Sequence, residues 1–200
     1  MANTSAPFGF QHIGTSSGGA PTFANTRRLI ASTDTNPVYF GDVVMPVVSS
    51  ATGYITHGVA GTTVIAGIFV GCSYFSTSQQ RQIWRNYWPG SDATGDVVAY
   101  VIDDAGAKFK VQAGATVVGV SIIGQYIQFA AGTGNTATGI SGSYVQSPAT
   151  TVTLPFIVLD TVTAPPGVNG TDNTTGYNFV IVGFNNEVLR SNGAGPTGIS

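Results

Sequence analysis

Charge is what this sequence has least of. Only 8% of its 200 residues are Asp, Glu, Lys or Arg, against about 25% in an ordinary soluble domain. A 20.5 kDa globule exposes roughly 8,900 Å² by the usual size scaling. Seven basic and nine acidic side chains leave most of such a surface uncharged. A lone molecule of this kind has little to keep it from its neighbours, so the composition points to a surface covered by further copies or by a partner. The net charge is −2, and the basic residues are scattered apart from Arg27-Arg28 and Arg81/Arg85. Nothing forms the basic face that nucleic-acid phosphates require.

Cysteine is nearly absent too. Cys72 is the single one, which excludes an intrachain disulfide and leaves packing to hold the fold. It ends the apolar run Ile65-Ala66-Gly67-Ile68-Phe69-Val70-Gly71-Cys72 and reads as a small buried hydrophobe rather than a reactive thiol. No apolar run approaches the length of a membrane helix. The start, Met1-Ala2-Asn3-Thr4-Ser5-Ala6-Pro7, has neither a positive nor an apolar leader region, so no secretory signal is expected. The Asn-x-Thr matches at Asn169 and Asn173 fall in an Asn/Thr-rich loop and mean nothing without a secretory route.

Exposed-helix formers are scarce as well, and no segment sustains helical periodicity. What is present is Val, Ile, Thr, Tyr and Phe, punctuated by 27 glycines. This pattern predicts strands over Arg28-Ser32, Val43-Val48, Val64-Tyr74, Arg81-Tyr87, Val97-Ile102, Lys108-Gln112, Tyr126-Phe129, Phe156-Val162 and Phe179-Phe184. Alternation in Lys108-Phe109-Lys110-Val111-Gln112 sends Phe109 and Val111 to one face and the polar residues to the other. The expected fold is all-β, a mainly antiparallel sandwich or barrel with an extended N-terminal arm. The arm covers residues 1–25, the β-domain 26–190 and a Gly/Pro-rich tail 191–200. Residues 130–150 read as a flexible loop. Phe8, Phe10, Ile13 and Phe23 lie among small polar residues in the arm; they either anchor a strap on a partner or fold back on the chain's own core.

Chemistry is hard to assemble. His12 and His57 have no zinc spacing with Cys72 or each other and read as loop or surface residues. Gly132-Thr133-Gly134 opens no helix, and Gly139-Ile140-Ser141-Gly142 lacks the spacing of a nucleophile elbow. Asp103-Asp104, followed by Gly106, reads as a turn with a carboxylate capping backbone N–H groups; adjacent strand positions cannot converge as an acid–base pair. No catalytic, metal or cofactor site is expected. The segment from Arg81 to Gly90 carries Trp84, Tyr87 and Trp88 together with Arg81 and Arg85. The two tryptophans are expected to anchor a core or a subunit interface, with an arginine stacked on an aromatic face.

Several segments together resemble a family of small structural proteins of tailed bacteriophages, the head decoration or cement proteins. They are Ala6-Pro7-Phe8-Gly9-Phe10, Val38-Tyr39-Phe40-Gly41-Asp42-Val43-Val44, Ala66-Gly67-Ile68-Phe69-Val70-Gly71-Cys72-Ser73-Tyr74, Asn86-Tyr87-Trp88-Pro89-Gly90, Val98-Ala99-Tyr100-Val101-Ile102-Asp103-Asp104, Phe109-Lys110-Val111-Gln112-Ala113 and Thr138-Gly139-Ile140-Ser141-Gly142. The chain departs from the family pattern at Gln11-His12, where Arg-Pro is usual, and at Ala105, where Pro is usual. The resemblance implies a non-catalytic virion protein on the outer surface of the phage head, with the major capsid protein and itself as partners, a trimer being the first expectation. The composition and the short apolar runs lead to the expectation of no nucleic-acid or membrane partner. The interface candidates are Phe8, Phe10, Ile13, Phe23, Trp84 and Trp88. A head fibre or tail component, and a carbohydrate-binding β-sandwich using Trp84 and Trp88, are the alternatives.

Overall fold

Fourteen strands and one short 3-10 turn carry the described part of the chain, which is 43% strand and 2% helix. The computed structural model describes residues 2–47 and 53–188; the tail expected over 191–200 lies outside them. The fold is an all-β antiparallel sandwich.

The first sheet, sheet A, has the order β1-β10-β14-β13-β11-β12. Its strands are β1 (Gln11–Thr15), β10 (Ala107–Gln112), β11 (Tyr126–Ala130), β12 (Tyr144–Ala149), β13 (Phe156–Thr161) and β14 (Phe179–Phe184). Alternation works as expected in its centre: Phe109 and Val111 of β10 face inward with Val180 and Val182 of β14. Phe10, Phe109, Phe129, Phe156 and Phe184 form a connected aromatic core, with Phe10 stacked on Phe156 at 4.6 Å between ring centres.

Sheet B has the order β2-β9-β6-β4-β5, with β7 also paired to β6. Its strands are β2 (Thr26–Ile30), β4 (Val43–Pro46), β5 (Ile55–His57), β6 (Gly67–Ser76), β7 (Arg81–Arg85) and β9 (Val97–Ile102). Strand β6 is long enough to pair with β4 through Gly67 and Ile68 and with β7 through Cys72 to Ser76. A small third sheet pairs β3 (Val38–Tyr39) with β8 (Tyr87–Trp88). It closes a second core, in which Val38 and Trp88 pack with Phe69, Cys72, Tyr74, Val97, Ala99 and Val101. The opposite face of sheet B meets sheet A only at one end, where Val43, Ile68 and Ile102 join the first core. Beyond that end, among the described residues, Leu29, Phe75 and Trp84 of this face are exposed.

One expectation is corrected and two are sharpened. Residues 130–150 are not simply a loop, since Tyr144–Ala149 forms edge strand β12. Residues 1–25, which the sequence leaves open between a strap on a partner and a fold back on the chain's own core, send Phe10 into that core. Gln11–Thr15 is edge strand β1, paired with β10 through a bulge at His12/Gly14. Ahead of it, Asn3 donates to the carbonyls of Asp172 and Gly176 and accepts from Gly170. Gln112, placed by alternation beside the solvent-facing lysines, is buried because this N-terminal segment covers it. Its side chain accepts from the Ala6 N–H and donates to the carbonyls of Thr4 and Tyr177.

Candidate functional surface

The six interface candidates divide sharply. Phe10 is 1% exposed and Trp88 is fully buried, so neither is available to a partner; both seal the chain's own cores. Phe8 sits half-buried against the outer face of sheet A, edge-to-face with Phe179 at 5.3 Å, with the Lys110 ammonium over both rings. Ile13 and Phe23 are exposed, and Phe23 leans edge-on against His12. Trp84 is 62% exposed on sheet B. The structure therefore puts Phe10 inside the core, Phe8 on the outer face of sheet A, Ile13 on its edge strand and Phe23 beside that strand, and leaves Trp84 apart.

The split between the tryptophans has a local cause. Four residues apart, they would share a face of a continuous strand. The chain instead ends β7 at Arg85 and crosses from the edge of β6 to the third sheet, where Tyr87 pairs with Tyr39 and Trp88 with Val38. The Trp88 indole then meets Tyr74 edge-on at 5.1 Å and donates to the Asp34 carbonyl. The expected arginine–aromatic stack is present: Arg85 lies over the Tyr87 ring at 5.6 Å.

A buried polar cluster around Asp42 was not anticipated. Asp42, 1% exposed, accepts from the hydroxyls of Ser141 at 2.5 Å and Ser143 at 2.7 Å and from the Tyr39 N–H at 2.7 Å. His57 Nε2 lies 3.4 Å from its other oxygen. These are the residue types of a nucleophilic triad, but the connections differ. Both hydroxyls bond to the carboxylate, whereas nucleophile activation needs a hydroxyl–imidazole contact. What the cluster does is tie the 139–143 segment to β5 and to the turn before β4. The sequence signal was the paired Ser141 and Ser143 beside glycines, which reads as a loop until Asp42 arrives from about a hundred residues away.

The remaining nominated groups are structural. Asp103 holds Arg28 at 2.8 Å and accepts from Thr26, while Asp104 accepts from the Gly106 N–H as the turn reading expects. Cys72 is buried, donates to the Tyr87 carbonyl, and has its thiol pKa pushed up to about 12 by burial against the opposing pull of Arg85. No group of three or more His, Cys, Asp or Glu side chains able to hold a metal occurs among the described residues.

The uncovered face of sheet B is the most distinctive surface. Register places Leu29, Val98, Ser73 and Trp84 in one row across four strands, and Arg27, Tyr100 and Gly71 in the next. Phe75 and Gln82 form a third. Leu29, Phe75 and Trp84 are exposed, and the Ser73 and Tyr100 hydroxyls lie 3.4 Å apart between them. The indole lies over Gly71: a Cβ there would be 2.8 Å from Trp84 Cζ2.

No family model, curated protein or solved structure matches the chain.

Proposed function

We propose that this chain is a virion structural protein, a capsid decoration or cement protein that binds the outside of a phage head in many copies and bridges major capsid protein subunits. The observation that carries this reading is the surface. The accessible area is 9196 Å² for a chain with sixteen charged side chains, and three of the acids, Asp42, Asp103 and Glu187, are buried. Val59, Val120, Val152 and Val168, outside the strands, are largely exposed. Such a surface favours contact with further protein over solitary solution. The body beneath it is suited to bracing, since both sheets have filled cores and the N-terminal segment is hydrogen-bonded down.

The mechanism is additive and involves no catalytic step. Each copy would bury loop surface rich in Thr, Ser, Asn and Val against neighbouring capsid subunits, a standard contact covering about 1,600 Å² in total. Repeated over a shell, modest contacts oppose outward rupture. With so few charges, binding should depend little on salt. The partners in this reading are the major capsid protein and further copies of the chain, a trimer first. The test is co-sedimentation of purified protein with phage heads that lack it. Saturable binding, and heads that survive hotter or lower-salt conditions once coated, are expected; absence of binding would defeat the reading.

A further inference from the structure

We propose that the open face of sheet B is a saccharide-binding platform centred on Trp84, distinct from the surface used against a capsid. Its apolar strip begins inside the molecule, where Ile68 and Ile102 pack against sheet A, and emerges as Tyr100, Val98 and Trp84. The exposed indole is seated on backbone rather than waving in solvent, because Gly71 removes the Cβ that would lift it. A fixed aromatic plane loses little entropy when a ligand settles on it. Around it stand hydroxyl and amide groups, Ser73 and Tyr100 in adjacent rows and Gln82 beyond them.

Size decides between occupants. Four strands at about 4.8 Å and three rows at about 6.8 Å make a face of only a few hundred Å². A stable protein partner needs about 800 Å² on each side, so neither a second copy nor a capsid subunit is held by this face alone. A few sugar rings fit it. The axial C–H bonds of a pyranose lie against an indole plane, attracted by the negative face of the ring system, while its hydroxyls bond to Ser73, Tyr100 and Gln82. Among the described residues of the face only Arg27 is charged, which favours a neutral saccharide over an acidic one.

The test is affinity electrophoresis of the full chain in gels containing neutral polysaccharides, namely a β-glucan, glycol chitin, mannan and galactan, followed by titration with fragments of the retarding polymer. At least one polymer should retard the protein. Trp84→Ala should weaken binding at least tenfold with its melting temperature unchanged, and Trp84→Tyr should recover part of it. No retardation in any gel, or equal retardation of Trp84→Ala, overturns the proposal. So does conversion of an oligomer to a monomer by Trp84→Ala in sedimentation, which would make this a self-interface. Loss of head binding in the same variant would make it the capsid contact and overturn the proposal too, leaving the decoration reading intact.

Discussion

Trp84 lies across Gly71, with Cζ2 of the indole 2.8 Å from where a Cβ on that glycine would stand. The glycine also has a φ of +151°, outside the range that other residues adopt readily. One backbone position thus fixes the most exposed aromatic side chain of the protein. Gly71→Ala should displace the ring and destabilise the fold by about 1–3 kcal/mol. Near-ultraviolet circular dichroism and chemical melts read both effects.

The two tryptophans should behave oppositely. Trp88→Ala opens a cavity in the second core and should cost about 3–5 kcal/mol. Trp84→Ala, at the surface, should change stability by about 0.5 kcal/mol or less. Equal effects in urea melts would contradict the placement of either ring.

The N-terminal segment should be part of the fold. Phe10 stacks on Phe156 and meets Phe109 edge-on, so Phe10→Ala should cost about 3–5 kcal/mol. Deletion of residues 2–10 should lower the melting temperature strongly, because Gln112 loses its partners at Ala6 and Thr4. A truncated protein that melts like the full chain would restore the strap.

Asp92 gives an acid-sensitive contribution. Partial burial raises its pKa, but hydrogen bonds from Ser76, Thr77 and Ser78 outweigh that and hold it at about 2. A carboxylate depressed in the folded state stabilises the fold above its unfolded pKa of about 3.9, and the gain disappears as pH falls through the folded value. Wild type should therefore exceed Asp92→Asn in stability near neutrality, and the gap should close between about pH 4 and pH 2. Paired denaturant melts across that range measure it.

Cys72 should be inert in the native protein. Its buried thiol, pushed up to about 12, holds almost no thiolate at neutral pH, and thiolate is the reactive form. Labelling by iodoacetamide should track unfolding in urea rather than reagent concentration.

The sheets were legible in the sequence where strands are apolar and bounded by turns: the spans of β9 and β14 match the alternation closely, and the turn at Asp104 follows from its glycine. Strands β1 and β12 were not, because they are edge strands with bulges and small polar residues, and their assignment depends on which neighbour they pair with. Composition showed that Phe10 was an anchor but not whose core it would enter. Spacing grouped Trp84 with Trp88 because it carries no sign of the crossover after Arg85. The burial of Gln112, Ser141 and Ser143 was invisible because each is satisfied by partners distant in sequence.

The central claim is that this sparsely charged body is a coat component present in many copies. Quantitative cryo-electron microscopy of particles produced from the genome that encodes it tests that most directly. The account predicts density for the sandwich on the outer face of the shell, in hundreds of copies bridging capsid subunits. Particles that lack the chain, or carry it in tens of copies or fewer at a tail or fibre, would contradict it.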